Sequence, residues 1–180
     1  MNAFEQLVSE ILRLEGYWVQ TSVKVELTKM EKRRIDRWSS PRWELDIVGY
    51  RGADNSLWVV ECKSYLDSPG VGAAAFDGTN PKYAKNYKLF NEPTLRRVVF
   101  KALQRQLTNR GFCKKNPDVR FALAAGRIKS EADKKAIRSR FAKNGWELWD
   151  DVWLKDRLRK MSEGGYEDQI SAVVTKLLLR

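Results

Sequence analysis

Three charged residues lie in a stretch of the chain that otherwise has the apolar pattern of two paired strands. The stretch runs from Trp43 to Tyr65 and contains Asp46, Glu61 and Lys63. Period-two alternation places Glu61 and Lys63 on the same face of the second strand. The turn at residues 51–56 is rich in hairpin-loop residues, so we expect antiparallel pairing that brings Asp46 towards Glu61. Neighbouring carboxylates favour a hard divalent cation, and a structural salt bridge at a sheet edge is the alternative.

This arrangement resembles the signature of the PD-(D/E)XK nuclease superfamily, whose core has the restriction-endonuclease-like fold. Asp46 followed by Glu61-Cys62-Lys63 matches that signature across the hairpin, with Leu45 in place of the usual proline. The resemblance implies a metal-dependent nuclease that holds Mg²⁺ or Mn²⁺ between Asp46, Glu61 and the backbone carbonyl of Cys62. It also implies that Lys63 orients or deprotonates the attacking water and stabilises charge on the phosphate.

The same resemblance implies a further acid from the first helix, and Glu5 is the candidate. Apolar spacing predicts that helix from Ala3 to Glu15, with Glu5 at the edge of the apolar stripe. Gly16-Tyr17 follows, as in the Mrr-type and archaeal Holliday-junction-resolvase branches. Asn2 and Glu5 also have the spacing of a capping box, so Glu5 is either a helix cap or a site residue, or serves both roles.

Composition points to a polyanionic partner and excludes several catalytic classes. The 180 residues include 34 Lys and Arg against 23 Asp and Glu, giving a net charge of +11, and no histidine. The basic excess predicts a nucleic acid as partner, and a solvated basic face is the alternative. Without histidine, a Ser-His-Asp triad, an imidazole base and a histidine-ligated zinc are all excluded.

Cysteine usage and hydropathy indicate the compartment. Cys62 and Cys113 are too few for a disulfide scaffold or a zinc cluster, which favours a reducing cytoplasm. We recognise no signal peptide and no apolar run long enough to span a bilayer. We therefore expect a cytoplasmic protein without a membrane partner.

Two basic segments are candidates for contact with the nucleic acid. DNA is the expected partner, RNA is not excluded, and a homodimer is plausible for an enzyme that must cut two strands. The candidates for phosphate contact and base stacking are Arg33, Arg34, Arg37 and Arg42 before the Asp46 strand, and Lys82, Tyr83, Lys85, Tyr87 and Lys88 after it. Either segment is also typical of a solvated surface. Asp36, in the first segment, is a second-choice acid because it lacks the partner spacing of Asp46.

The predicted elements give one α/β domain over residues 1–180, with a central mixed sheet flanked by helices. An irregular functional loop is expected at about 65–93, and C-terminal helices from about 151. The predicted helices are Thr94–Asn109, Glu131–Lys143, Asp151–Met161 and Glu167–Leu179, and the later strands are Val119–Ala125 and Trp146–Trp149.

The Thr94–Asn109 helix carries Gln104 and Gln106. Many members of the superfamily place a glutamine on this helix near the metal water, and a structural amide is the alternative.

No Gly-Lys-Ser/Thr phosphate loop is present, so the use of nucleotide energy is not expected. Nothing outside the core has the pattern of a recognition domain, which favours structure-dependent cutting in repair or defence. A non-cleaving nucleic-acid-binding module and a subunit of a larger repair or defence assembly remain alternatives.

Overall fold

A computed structural model describes residues 2–39, 42–78, 80–163 and 170–179. The strands are β1 (Trp18–Glu26), β2 (Arg42–Arg51), β3 (Ser56–Lys63), β4 (Asp118–Ala125) and β5 (Glu147–Trp149). The helices are α1 (Ala3–Leu14), α2 (Lys29–Arg34), α3 (Pro81–Ala84), α4 (Lys88–Asn91), α5 (Pro93–Asn109), α6 (Glu131–Asn144), α7 (Asp151–Glu163) and α8 (Ile170–Leu179). The predicted start of the last helix at Glu167 lies outside the described residues.

The strands form one mixed sheet in the order β1-β2-β3-β4-β5. β2 pairs antiparallel with both β1 and β3, whereas β3, β4 and β5 run parallel to one another. The chain crosses from β3 to β4 through α3, α4 and α5, and from β4 to β5 through α6. This arrangement confirms the predicted α/β class with a central mixed sheet. Because β3, β4 and β5 run in the same direction, their C-terminal ends lie at one edge of the sheet. Glu61 and Lys63, at the end of β3, lie at that edge.

Helices cover both faces of the sheet, and the alternation of β3 divides its side chains between them. Leu57 and Val59 lie in the core shared with α5 and α6. Trp58, Val60 and Cys62 lie in the core shared with α1 and α7. Both faces are therefore buried, which explains the nearly continuous apolar run of this strand.

The sheet has a local kink beside Asp46. Ser22 in β1 stands opposite Asp46 in the β1–β2 register and has a left-handed backbone conformation with φ of +51°. Leu45 packs on the α5 face, whereas Ile47, two residues later, packs on the α1 face. The register is the same on both sides of this point, so no residue has been inserted. The kink changes the direction of successive side chains where the candidate acid lies.

The segment between β3 and α5 is irregular but packed. Within its described residues no helix exceeds four residues. Phe76, Tyr87, Leu89 and Phe90 from this segment nevertheless lie in the core on the α5 face. Much of the predicted loop therefore serves as a layer of the domain.

In the part of the chain that the structure describes, no helix is both long enough and apolar enough to cross a bilayer.

Candidate functional site

The register of the β2–β3 hairpin brings Asp46 and Glu61 opposite each other. The paired residues run from Arg51 and Ser56 to Ile47 and Val60, and the next pair in the same register is Asp46 and Glu61. The Asp46 Oδ2 atom accepts a hydrogen bond of 2.8 Å from the backbone N–H of Cys62. The carboxylate of β2 is thus fixed against the end of β3.

Glu61 and Lys63 project from β3 on the α5 side of the sheet. By alternation they share the face of Leu57 and Val59, which lie in the α5 core. Lys63 Nζ is 4.0 Å from Glu61 Oε2, and their side chains are 21% and 15% exposed. The same Nζ lies 5.9 Å from the centroid of the Tyr87 ring. A lysine and a carboxylate therefore share a mostly buried position beside a second carboxylate.

The surroundings of Glu61 disfavour its charge. Burial is the largest cause that raises the pKa of Glu61, and the nearby Asp46 and Glu5 carboxylates raise it further. The Lys63 ammonium acts in the opposite direction, and the resulting pKa is about 7. Two carboxylates with one partly opposing cation therefore leave negative charge that a further cation would stabilise.

The main chain at Cys62 supplies an oxygen on the same side. The N–H of Gly126 donates to the Lys63 carbonyl at 3.0 Å, so that carbonyl is directed towards β4. Successive carbonyls along a strand alternate in direction, which directs the Cys62 carbonyl towards β2 and Asp46. The Cys62 thiol lies on the opposite face, and burial raises its pKa, so the thiol stays neutral.

Glu5 caps its helix and also lies within electrostatic range of the site. Its backbone N–H donates to Asn2 Oδ1 at 2.9 Å, and its carboxylate accepts from Asn2 Nδ2 at 2.7 Å and from the Asn2 backbone N–H at 3.3 Å. The same carboxylate contributes to the raised pKa of Glu61 and of Cys62. The capping alternative for Glu5 is therefore confirmed, and its role as a site residue stays a prediction.

The donor set suits a cation that keeps much of its own water. Among the described residues, no three His, Cys, Asp or Glu side chains are grouped closely enough to hold a metal ion. The available protein donors are the Asp46 and Glu61 carboxylates together with the Cys62 carbonyl. Mg²⁺ is commonly held by one or two carboxylates with several waters, so this set fits it better than it fits a cation that needs an all-protein cage.

Close backbone packing fixes the chain immediately after Lys63. A Cβ atom on Gly126 would lie 2.4 Å from the Ser64 carbonyl oxygen, so only glycine is tolerated there. Tyr65 has a left-handed conformation with φ of +45°. The end of β3 is therefore held rigidly on the end of β4.

The arginines before β2 differ in whether their guanidinium groups already pair with a carboxylate. Arg37 Nη2 donates to both carboxylate oxygens of Glu92, at 2.9 and 2.7 Å, and Arg42 Nη2 lies 3.6 Å from Glu26 Oε1. Arg33 and Arg34 are exposed, and neither forms an ion pair with another described residue. These last two are the candidates best placed to meet a phosphate.

The second basic segment is divided in the same way. Lys82, Tyr83 and Lys85 are exposed and Lys88 is half-buried. Tyr87 is only 4% exposed, and its ring packs against Phe76 with ring centroids 4.7 Å apart. The expectation that Tyr87 stacks on a base is therefore corrected, because its ring is packed into the core.

The two glutamines of α5 have structural partners. Gln106 accepts from the backbone N–H of Glu26 and donates to the Lys24 carbonyl, both at 3.0 Å. Gln104 donates to the Pro117 carbonyl at 3.4 Å. Gln106 thus provides hydrogen-bond partners for main-chain groups at the free edge of β1, which agrees with the structural alternative.

One residue with functional potential was not among the predicted candidates. The Trp38 ring is 62% exposed beside the basic helix α2. Trp38 could have been identified from the sequence, because it lies in a polar and basic segment that lacks the apolar pattern of a core tryptophan.

Comparisons of the chain with protein-family models, with curated proteins and with solved structures found no match.

Proposed function

We propose that this protein is a metal-dependent nuclease of the PD-(D/E)XK type that hydrolyses phosphodiester bonds in DNA. One observation carries the proposal: Asp46 of β2 lies across the hairpin from the end of β3, where its carboxylate accepts from the Cys62 N–H in the register that leads to Glu61, and Lys63 Nζ lies 4.0 Å from the Glu61 carboxylate. A pair of acids with a lysine two residues after the second acid is also the pattern that the superfamily resemblance rests on.

In this proposal, Asp46, Glu61 and the Cys62 carbonyl hold Mg²⁺ or Mn²⁺. The bound cation would supply charge neutralisation at the phosphate and a more acidic water. The Asp46 carboxylate is oriented for this role by its hydrogen bond from the Cys62 N–H. Lys63 would orient or deprotonate the attacking water and stabilise charge on the phosphate. Glu5 would contribute to the outer water shell while it caps α1.

DNA is the proposed substrate because of the charge of the chain. The net charge of +11 favours a polyanion, and the exposed cations Arg33 and Arg34 of α2 shortly precede, in the chain, the strand that carries Asp46. Cutting that depends on DNA structure, in repair or defence, is the proposed context.

A non-cleaving nucleic-acid-binding module is the second candidate. The absence of a third grouped carboxylate among the described residues favours it, because the acids would then hold a cation weakly. Such a module would bind DNA through the same contacts but would not hydrolyse its phosphodiester bonds.

The test is cleavage of labelled linear, nicked and branched DNA, and of RNA, with Mg²⁺, Mn²⁺ or EDTA. We expect cleavage that requires the cation and is abolished in Asp46→Asn. The matched control is Asp118→Asn, which removes an exposed acid at the start of β4, at the end of the sheet away from Glu61, and it should cleave like the wild type. DNA binding without cleavage in any cation would reject the nuclease proposal in favour of the binding module.

A further inference from the structure

The segment from Lys29 to Trp38, here called the basic hook, consists of α2 and the turn that follows it. Two arginine–carboxylate pairs fasten it to the rest of the domain. Arg105 of α5 makes a bidentate pair with the Glu31 carboxylate at 2.6 and 3.1 Å, which fixes geometry as well as charge. Arg37 Nη2 donates to both carboxylate oxygens of Glu92, at 2.9 and 2.7 Å. The hook is therefore held in one position at the edge of the sheet where β2 begins.

The basic hook presents cations that have no acidic partner. Of the two acids of the hook, Glu31 pairs with Arg105 outside the hook, and Asp36 accepts a hydrogen bond from Trp38. Within the described part of the chain, four cations of the hook form no ion pair: Lys29, Lys32, Arg33 and Arg34. Such a cluster attracts successive phosphates of a nucleic acid.

An aromatic ring lies among these cations and is held in a defined orientation. Trp38 Nε1 donates to Asp36 Oδ1 at 3.2 Å, and the guanidinium of Arg33 lies 5.0 Å from the ring centroid. The Trp38 side chain is nevertheless 62% exposed. A fixed, exposed ring next to Arg33, on the same segment as three further cations that form no ion pair with a described residue, has the two parts of a single-strand site, namely a stacking surface and phosphate contacts.

We propose that the basic hook binds an unpaired stretch of the nucleic-acid substrate, with one base stacked on Trp38 and neighbouring phosphates held by Lys32, Arg33 and Arg34. A base inside an intact duplex has both faces stacked, so the substrate must carry a single-stranded segment, as a flap, gap or branch does. The hook contacts the start of β2, where the Arg37 guanidinium lies 5.1 Å from the centroid of the Trp43 ring. Asp46 follows three residues later on the same strand, about 10 Å away at about 3.3 Å per residue. One strand of substrate can therefore reach both the hook and the carboxylates.

This inference rests on the nucleic-acid substrate of the proposed function, and it does not require cleavage. The test therefore measures binding in EDTA by fluorescence anisotropy. The probes are a labelled single-stranded oligodeoxynucleotide and the same strand annealed to its complement. The variants are Trp38→Ala and Trp38→Phe. The matched control is Trp18→Ala, because Trp18 is 53% exposed and lies at the opposite end of β1.

Base stacking on one aromatic side chain corresponds to about 1–3 kcal/mol, so Trp38→Ala should weaken binding of the single strand by about 5- to 150-fold. Trp38→Phe should recover most of this loss. Binding of the duplex should change little, and Trp18→Ala should leave both affinities unchanged. Thermal unfolding of Trp38→Ala should match that of the wild type, because the ring is exposed.

Three results with the variants would overturn the inference: an unchanged single-strand affinity in Trp38→Ala, an equal loss on the duplex, or an equal loss in Trp18→Ala. The first would leave the exposed ring as a contact for another macromolecule. A wild-type protein that binds neither probe would reject both this inference and the proposed substrate. The expected binding pattern without cleavage in any cation would reject the nuclease proposal alone.

Discussion

Replacing Glu61 by glutamine should stabilise the cation-free protein at neutral and higher pH. The folded pKa of Glu61, about 7, is raised above its ordinary value of 4.5 by burial first and then by Asp46 and Glu5. Below about pH 4.5 the side chain is protonated in both the folded and the unfolded state, so its ionisation does not affect stability. As the pH rises from 4.5 to 7, the unfolded state releases the proton while the folded state keeps it, and stability falls.

The size of the effect follows from these two values. Each pH unit between them corresponds to about 1.4 kcal/mol, so the penalty reaches about 3 kcal/mol above pH 7. Glutamine does not ionise and carries no such penalty. The free energy of unfolding of Glu61→Gln minus that of the wild type should therefore increase by about 3 kcal/mol from about pH 4.5 to about pH 8.

Urea unfolding in EDTA at several pH values measures this difference. Glu44→Gln is the matched control, since Glu44 is an exposed carboxylate on the neighbouring strand β2, and its difference from the wild type should vary little with pH. A difference for Glu61→Gln that stays constant with pH, or that decreases as the pH rises, would refute the reasoning. It would mean that the carboxylate is ionised in the folded state without penalty.

Three further substitutions test the packing around the site. Gly126→Ala places a Cβ atom 2.4 Å from the Ser64 carbonyl. Urea unfolding should show a loss of about 1–3 kcal/mol in the free energy of unfolding, and cleavage should be slower. Gly52→Ala is the control, because there is space for a Cβ at Gly52, and it should change neither stability nor cleavage. Asp150→Ala removes a carboxylate that is 1% exposed and caps α7; thermal unfolding should show a loss of about 2–3 kcal/mol. Gln106→Leu leaves two main-chain groups of β1 unpaired; it should cost about 1 kcal/mol without changing cation binding, and a complete loss of cleavage would show instead that the amide serves the chemistry.

Much of the fold was predictable because its long elements have clear periodicity. The predicted helix Thr94–Asn109 differs from α5 by one residue, and the predicted strand Val119–Ala125 differs from β4 by one. Alternation also predicted that Glu61 and Lys63 share a face, and Lys63 Nζ lies 4.0 Å from Glu61 Oε2. In these elements, local pattern and tertiary packing favour the same structure.

The features that were missed depend on contacts that are distant in sequence. The left-handed conformation of Ser22 has no local signal, because no glycine or proline marks the kink. Tyr87 has the sequence context of a surface loop, yet it packs against Phe76 with ring centroids 4.7 Å apart. Arg37 was predicted as a phosphate contact, and its pairing with Glu92, 55 residues later, emerges only in the folded chain.

Mn²⁺ binding measured by titration calorimetry tests the central claim most directly, namely that Asp46 and Glu61 together hold the divalent cation. The wild type and Asp36→Asn should bind Mn²⁺ alike, because Asp36 lies outside the proposed donor set. Asp46→Asn and Glu61→Gln should each lose most of this affinity, since either change leaves a single carboxylate at the site. Mn²⁺ binding by Asp46→Asn and Glu61→Gln equal to that of the wild type would contradict the claim.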